Sequence, residues 1–113
     1  MQAQGGKGET LIVIRHGFRL NYIKPCMTDR QKRMAEVILN NGRMDPYRMC
    51  DTLSKAFDNV RCSPEIGVAR IKIGDMNIMV FDSGRIVIRQ AADDAGIIQI
   101  AEKIAALLSC DYK

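Results

Sequence analysis

The stretch IGVARIKIGDMNIMVFDSGRIVIRQ, residues 66–90, carries the clearest structural pattern in this 113-residue sequence. It contains three runs rich in β-branched residues, which are separated by Gly74-Asp75 and by Asp82-Ser83-Gly84. Such runs predict strands, and the short gaps containing Gly and Asp predict tight turns. We therefore expect a three-stranded antiparallel meander, with strands at residues 68–73, 76–81 and 85–90.

Alternation along these strands assigns each side chain to one of two faces. One face carries only small or aliphatic side chains: Ala69, Ile71, Ile73, Met76, Ile78, Val80, Ile86 and Ile88. The other carries four cations with apolar and amide side chains: Arg70, Lys72, Asn77, Met79, Phe81, Arg85, Val87 and Arg89. Within the meander this second face has no acid, which suits an anionic, partly apolar partner. The alternative is a solvated face, half covered by the N-terminal strand or by another copy.

Helices are predicted before and after the meander. Asp45 followed by Pro46 is typical of a helix start, because Asp accepts hydrogen bonds from the first turn and Pro fits the first helical position. This helix should end near Phe57. Asp93-Asp94 caps a second helix, whose apolar residues recur with a helical period through Leu108. Because that stripe needs an apolar partner, we expect an α+β fold, an antiparallel sheet with helices packed on one face.

The beginning of the sequence is less regular than the meander. Residues 1–9 are Gly-rich and polar, so they predict a disordered tail before a single α+β domain at residues 10–113. Runs of β-branched residues on both sides of Gly17 predict one strand with a bend or bulge at that glycine, and Pro25 ends it.

Residues 29–40 fit two structures. Thr28 and Gln31 have the spacing of a capping box and would begin a helix that stops at Gly42. The segment MAEVILN, residues 34–40, also fits a strand. The length of the segment and its residue types alone favour the helix slightly.

The charge balance is mildly basic, with 17 Lys and Arg against 13 Asp and Glu and a net charge of +4. This balance permits binding to nucleic acid or to another anionic partner without requiring it. The apolar runs are too short to span a bilayer, so we expect no membrane partner.

The four cysteines are Cys26, Cys50, Cys62 and Cys110, and no two of them have C-x-x-C spacing. With no signal-peptide pattern at the N-terminus, we expect a cytoplasmic protein whose cysteines are free thiols or ligands rather than disulfides. Cys26 and Cys62 are the candidate metal ligands, because each lies near a proline and a basic residue, and nearby cations favour the thiolate. No cofactor is required, but a metal ion or an iron–sulfur cluster is compatible with this pair.

The sequence offers little for catalysis. His16 is the only histidine, and no nucleophile–base pair can be assembled around it. Asp45, Asp93 and Asp94 are explained as helix caps rather than as an acid–base pair. We therefore expect a protein that is not an enzyme.

Residues 44–108 resemble one repeat of the TATA-box-binding-protein fold. The resemblance is carried by DPYRMCDTLSKAF (45–57), SPEIGVARI (63–71), NIMVFDSGRIVIRQA (77–91) and the final helix. In that family a strand ending in Phe, a Ser-Gly-basic turn and a basic–x–Val strand lie on the DNA-facing sheet. The matching positions are Phe81, Ser83, Gly84, Arg85 and Val87.

This chain departs from the family in two ways. The family forms its saddle from two repeats, and this chain has one, so the resemblance implies a half-saddle. Ile66 or Val68 stands where a second intercalating Phe is expected. Bending of DNA by inserted side chains would therefore require a dimer.

Residues 19–108 are also similar to little-studied modules of anaerobic microbes that are sometimes found beside iron–sulfur domains. The pattern is a strand, then Lys24-Pro25-Cys26-x-x-Asp29, then a strand, a helix, a meander and a last helix. In that pattern MAEVILN is a strand, which favours strand over helix. The similarity implies a link to metal or redox metabolism by association.

Three functions follow. The leading one is a non-catalytic binding or accessory module that contacts its partner through Arg70, Lys72, Met79, Phe81, Arg85, Val87 and Arg89. The second is a nucleic-acid-binding protein that uses the same basic face. The third is a metal or iron–sulfur site built from cysteines, with two chains contributing. The expected partner is a protein or a nucleic acid, and the open sheet with an unpaired edge allows a homodimer.

Overall fold

The computed structural model of the chain describes residues 13–15, 17–27, 30–40 and 42–110. The tail predicted at residues 1–9 and the single His16 lie outside these residues. Within them the strands are β1 (Val13–Arg15), β2 (Phe18–Pro25), β3 (Arg33–Leu39), β4 (Val60–Ser63), β5 (Val68–Ile73), β6 (Met76–Phe81) and β7 (Arg85–Ala91). The α-helices are α1 (Pro46–Ala56) and α2 (Asp94–Cys110), and a 3₁₀ turn lies at Pro64–Ile66.

The described strands form one antiparallel sheet in the order β1-β2-β3-β7-β6-β5-β4. Helix α1 contacts β4 and β5, and helix α2 contacts β2, β3 and β7. The buried side chains of both helices belong to the same core cluster as one face of the sheet. The predicted α+β fold is therefore confirmed, as is the packing of the helices on one face.

The core lies between the sheet and the two helices. Six of the eight aliphatic side chains predicted for this face are buried: Ala69, Ile71, Ile78, Val80, Ile86 and Ile88. Fully burying an Ile or Val side chain contributes about 1.5–3 kcal/mol, so these strands hold much of the stability. Ile73 is 39% exposed and Met76 is half-buried, because both flank the turn at Gly74-Asp75 at the end of the sheet.

The helix starts follow the predicted capping chemistry. The side chain of Asp45 accepts a hydrogen bond of 3.0 Å from the backbone N–H of Tyr47, and Pro46 is the first residue of α1. The Oδ1 atom of Asp93 accepts a 2.8 Å bond from the N–H of Gly96 in α2. Among the described residues, no helix combines the length and hydropathy needed to cross a membrane.

Residues 33–39 form strand β3, which decides between the two structures that residues 29–40 allowed. Its buried side chains alternate at Ala35, Val37 and Leu39, and the intervening ones are partly exposed. The strand pairs with β2 on one side and β7 on the other. Because the segment pairs with strands on both sides, it forms a strand despite the capping-box pattern that precedes it.

Gly17 makes a hairpin turn rather than the predicted bend within one strand. Arg15 of β1 lies opposite Phe18 of β2, so the chain reverses at this glycine. Its φ of 87° lies in the left-handed region, which glycine adopts without strain. The expectation of a single continuous strand was wrong here, and a shift of register in the β2–β3 ladder occurs later, between Leu20 and Tyr22.

Candidate functional site

The sheet face opposite the helices carries every side chain that the sequence assigned to a partner-binding surface. Cross-strand register places Arg61, Arg70, Met79, Val87 and Glu36 side by side in one row that crosses β4, β5, β6, β7 and β3. A second row contains Lys72, Asn77 and Arg89. No helix among the described residues packs on this face, and its four meander cations, Arg70, Lys72, Arg85 and Arg89, are exposed.

In one part of this face, a cation and an acid neutralise each other. Arg85 forms an ion pair with Glu36 of β3, and its guanidinium carbon lies 5.5 Å from the centre of the Phe81 ring. The Nδ2 atom of Asn21 donates a 3.0 Å hydrogen bond to Glu36, and Arg19 donates a 3.3 Å bond to Asn21. We call these five residues the paired network.

The paired network lowers the pKa of Glu36 below its ordinary value of 4.5. The hydrogen bond from Asn21 is the largest cause, the hydrogen bond and charge of Arg85 act in the same direction, and partial burial opposes them. Glu36 is therefore ionised at neutral pH and neutralises Arg85. The meander residues of this face include no acid, as predicted, and the neighbouring strand β3 adds the carboxylate of Glu36 beside β7.

The other part of the face forms a hollow of about 480 Å³. We call it the basic hollow. It is lined by Asn59, Arg61, Arg70, Ile71, Lys72, Asn77, Ile78, Met79 and Arg89. The described lining residues include four cations and no acid, with the half-buried Met79 between the cations.

Within the described part of the chain, the four cations of the basic hollow have no partner of opposite charge. Among the described residues, the side chains of Arg61, Arg70, Lys72 and Arg89 make no hydrogen bond or ion pair. Arg61 lies directly opposite Arg70 across the β4–β5 ladder, and Lys72 follows two residues later on the same face. Like charges directly opposite each other destabilise a sheet, so an anion bound between them would relieve this repulsion.

The structure divides the predicted partner-binding residues between the two parts of the face. Arg70, Lys72, Met79 and Arg89 line the basic hollow. Arg85 and Val87 lie beside Glu36, and the ring of Phe81 contacts Arg85. Arg61 was missed, because the short strand β4 was not predicted. The alternation of Val60 and Cys62 with Arg61 and Ser63 was the available signal.

Cys50 and Cys62 form a disulfide with a Cα–Cα distance of 5.8 Å. The expectation that these cysteines are free thiols was therefore wrong. Cys50 lies on the buried stripe of α1, and Cys62 lies on the core-facing side of β4, so the two side chains meet where the helix packs on the edge of the sheet. Disulfides are typical of oxidising compartments, so this pair does not support the expected reducing environment, and a cytoplasmic location stays a prediction.

Cys26 is free and buried, and it directly follows β2. Four strands separate β2 from β4 in the sheet, so Cys26 and Cys62 are about 24 Å apart at the usual strand spacing. One chain therefore does not bring the two predicted ligands onto one metal ion. Among the described residues, no group of three or more His, Cys, Asp or Glu side chains could hold a metal ion.

Comparison with known proteins yielded no similar protein: no family model, no curated protein and no solved structure matches this chain. The resemblances to the TATA-box-binding-protein fold and to the modules of anaerobic microbes therefore stay predictions. The geometry of the basic hollow is the basis for a proposal about function.

Proposed function

We propose that this chain is a non-catalytic binding module that holds an anionic partner on its open sheet face, with the basic hollow as the main contact. The observation that supports this most directly is the group of four cations around Met79 that have no partner among the residues the structure describes. A sheet that served only as a solvated surface would be more stable with acids interspersed, as Glu36 is beside Arg85.

Nucleic acid is the partner class that the hollow favours. Three strand spacings separate β4 from β7, so cations extend over about 14 Å of the face, far enough to contact several phosphates at once. Arginine offers paired donors that match phosphate oxygens, and Met79 offers an apolar contact for a sugar or a base edge. A second copy is a poor occupant of this face, because unpaired cations would meet unpaired cations.

The proposal is tested by binding to fluorescently labelled single-stranded DNA, single-stranded RNA and a glutamate-rich peptide. If four cations neutralise four phosphates, the logarithm of the affinity should fall against the logarithm of salt concentration with a slope of about −3. This slope predicts a loss of about fiftyfold between 50 and 200 mM salt. Arg70→Gln should weaken binding and reduce the slope by about 0.7.

Lys55→Gln is the matched control, since it also removes one positive charge, but Lys55 lies on the exposed side of helix α1, where it pairs with Asp51. It should leave the affinity and the salt slope nearly unchanged. Equal weakening by Lys55→Gln and Arg70→Gln would mean that binding depends on net charge and not on the hollow. Binding of the acidic peptide alone would instead identify an acidic protein as the partner, and binding of none of the probes would overturn the proposal.

The homodimer is a separate prediction, and it is checked by light scattering on the eluting protein during size-exclusion chromatography. Any dimer should pair through an edge strand such as β4, which is the last strand in the order of the described sheet.

A further inference from the structure

The disulfide holds a strand that carries part of the basic hollow. Strand β4 has four residues and, of the described strands, it pairs only with β5, so it lies at the edge of the described sheet. Val60 and Cys62 pack partly against the core, and the bond from Cys62 to Cys50 ties the strand to helix α1. The covalent link therefore adds a second attachment to a short edge strand.

The side chains of Cys62 and of its neighbour Arg61 point to opposite faces of the sheet. Cys62 lies towards the helices, whereas its neighbour Arg61 lines the basic hollow and faces Arg70 across the ladder. Asn59, just before β4, lines the same hollow. The position of the strand thus sets the position of one of the four cations.

We propose that the redox state of Cys50 and Cys62 regulates the affinity of the basic hollow for its anionic partner. This inference rests on the proposed function of the hollow. In the disulfide form, β4 is fixed and Arg61 is held beside Arg70. In the dithiol form, β4 is held by the β5 ladder and by packing alone, so the short edge strand opens more often and Arg61 leaves the hollow for part of the time.

The switching step is thiol–disulfide exchange with a reduced dithiol. A thiolate of the dithiol attacks the sulfur of Cys62, which is less buried than Cys50, and a mixed disulfide forms as the Cys50–Cys62 bond breaks. The second thiol of the reductant then displaces Cys62. Two electrons pass to the protein, its two cysteines end as thiols, and the reductant ends as an intramolecular disulfide.

The affinity for labelled single-stranded DNA is measured with the disulfide form and with protein reduced by dithiothreitol, and thiol titration confirms each state. We expect reduction to weaken binding about three- to tenfold, because one of four charged contacts becomes intermittent. In Arg61→Gln reduction should have little effect, whereas Arg89→Gln, on the far side of the hollow, should keep the full redox response. Equal affinities of the two redox forms, or a response of the same size in both variants, would overturn the inference and leave the proposed function standing.

Two further measurements separate the other outcomes. If the disulfide form binds none of the three probes, DNA, RNA and the acidic peptide, the proposed function fails and the regulation fails with it. Circular dichroism shows whether the reduced protein is folded. The double variant Cys50→Val/Cys62→Ala lacks the disulfide without any reductant, and its affinity for DNA is measured in the same way. A folded double variant that binds as tightly as the disulfide form would contradict the inference. Loss of the fold in both uncrosslinked forms would show that the bond is required for folding and would also overturn it.

Discussion

Removing Arg70 should make the protein more stable while it weakens the binding of anions. In the absence of a ligand, Arg70 has Arg61 directly opposite and Lys72 two residues along the same face. No acid among the described residues offsets either repulsion. A side chain that destabilises the free protein in this way is expected at a binding site, where its favourable partner is the ligand.

The size of the effect follows from the spacing of these charges. Opposite Cβ atoms in a ladder lie about 5 Å apart and alternate residues about 7 Å apart, and flexible side chains separate their charges to about 8 Å. Coulomb's law in water then gives about 0.5 kcal/mol for each pair, or about 1 kcal/mol for the two pairs that include Arg70. Screening at 0.15 M salt reduces the total to about 0.4 kcal/mol.

Urea denaturation of the wild type and Arg70→Gln, at low salt and at 0.15 M salt, measures the difference. We expect the free energy of unfolding of the variant to be higher by about 1 kcal/mol at low salt, and the gain to shrink as salt is added. Lys55→Gln removes the same charge from an attractive i,i+4 pair with Asp51, so its stability should fall by a few tenths of a kcal/mol, about the usual value of such a pair. A loss of stability in Arg70→Gln, or a gain that salt does not reduce, would refute the repulsion.

Two further variants test the paired network and the core. Because the hydrogen bond from Asn21 and the contacts with Arg85 lower the pKa of folded Glu36, its contribution to stability is complete above its ordinary pKa of 4.5 and is lost as pH falls through the lower pKa of the folded state. Glu36→Gln should therefore flatten the dependence of stability on pH in that acidic range. At neutral pH it should strengthen anion binding because Arg85 loses its ion-pair partner. An unchanged dependence of stability on pH would contradict the stabilising role of ionised Glu36. Ile86→Ala, at a fully buried position, should lower the free energy of unfolding by about 2–5 kcal/mol in urea denaturation, and a loss below about 1 kcal/mol would show that Ile86 is not part of the packed core.

The meander and both helices were predictable from short segments of sequence. A period of two places Ile78 and Val80 on one face and Met79 on the other, whatever the rest of the chain does. The cap at Asp45 is equally local, since its hydrogen bond reaches only to Tyr47. These patterns depend on backbone geometry within a few residues, so the sequence alone reveals them.

Residues 29–40 and Gly17 show where local patterns are insufficient. The first segment has a capping box as well as β-branched residues, and its pairing with both β2 and β7 decides for the strand. At Gly17 the β-branched runs on both sides are present in the sequence, but only the β1–β2 register shows that the chain reverses there. In both cases the deciding partners are residues in other strands.

The sequence by itself determined the layers of this protein and the face on which Arg70, Lys72, Met79 and Arg89 emerge, because strand alternation and helix periodicity are properties of the backbone. The tertiary structure alone decided which charges are neighbours. Glu36 and Arg85 meet across 49 positions of chain, and Cys50 reaches Cys62 because α1 packs on the edge strand. The order of the strands brings these side chains together, and that order is set by the burial of the whole core.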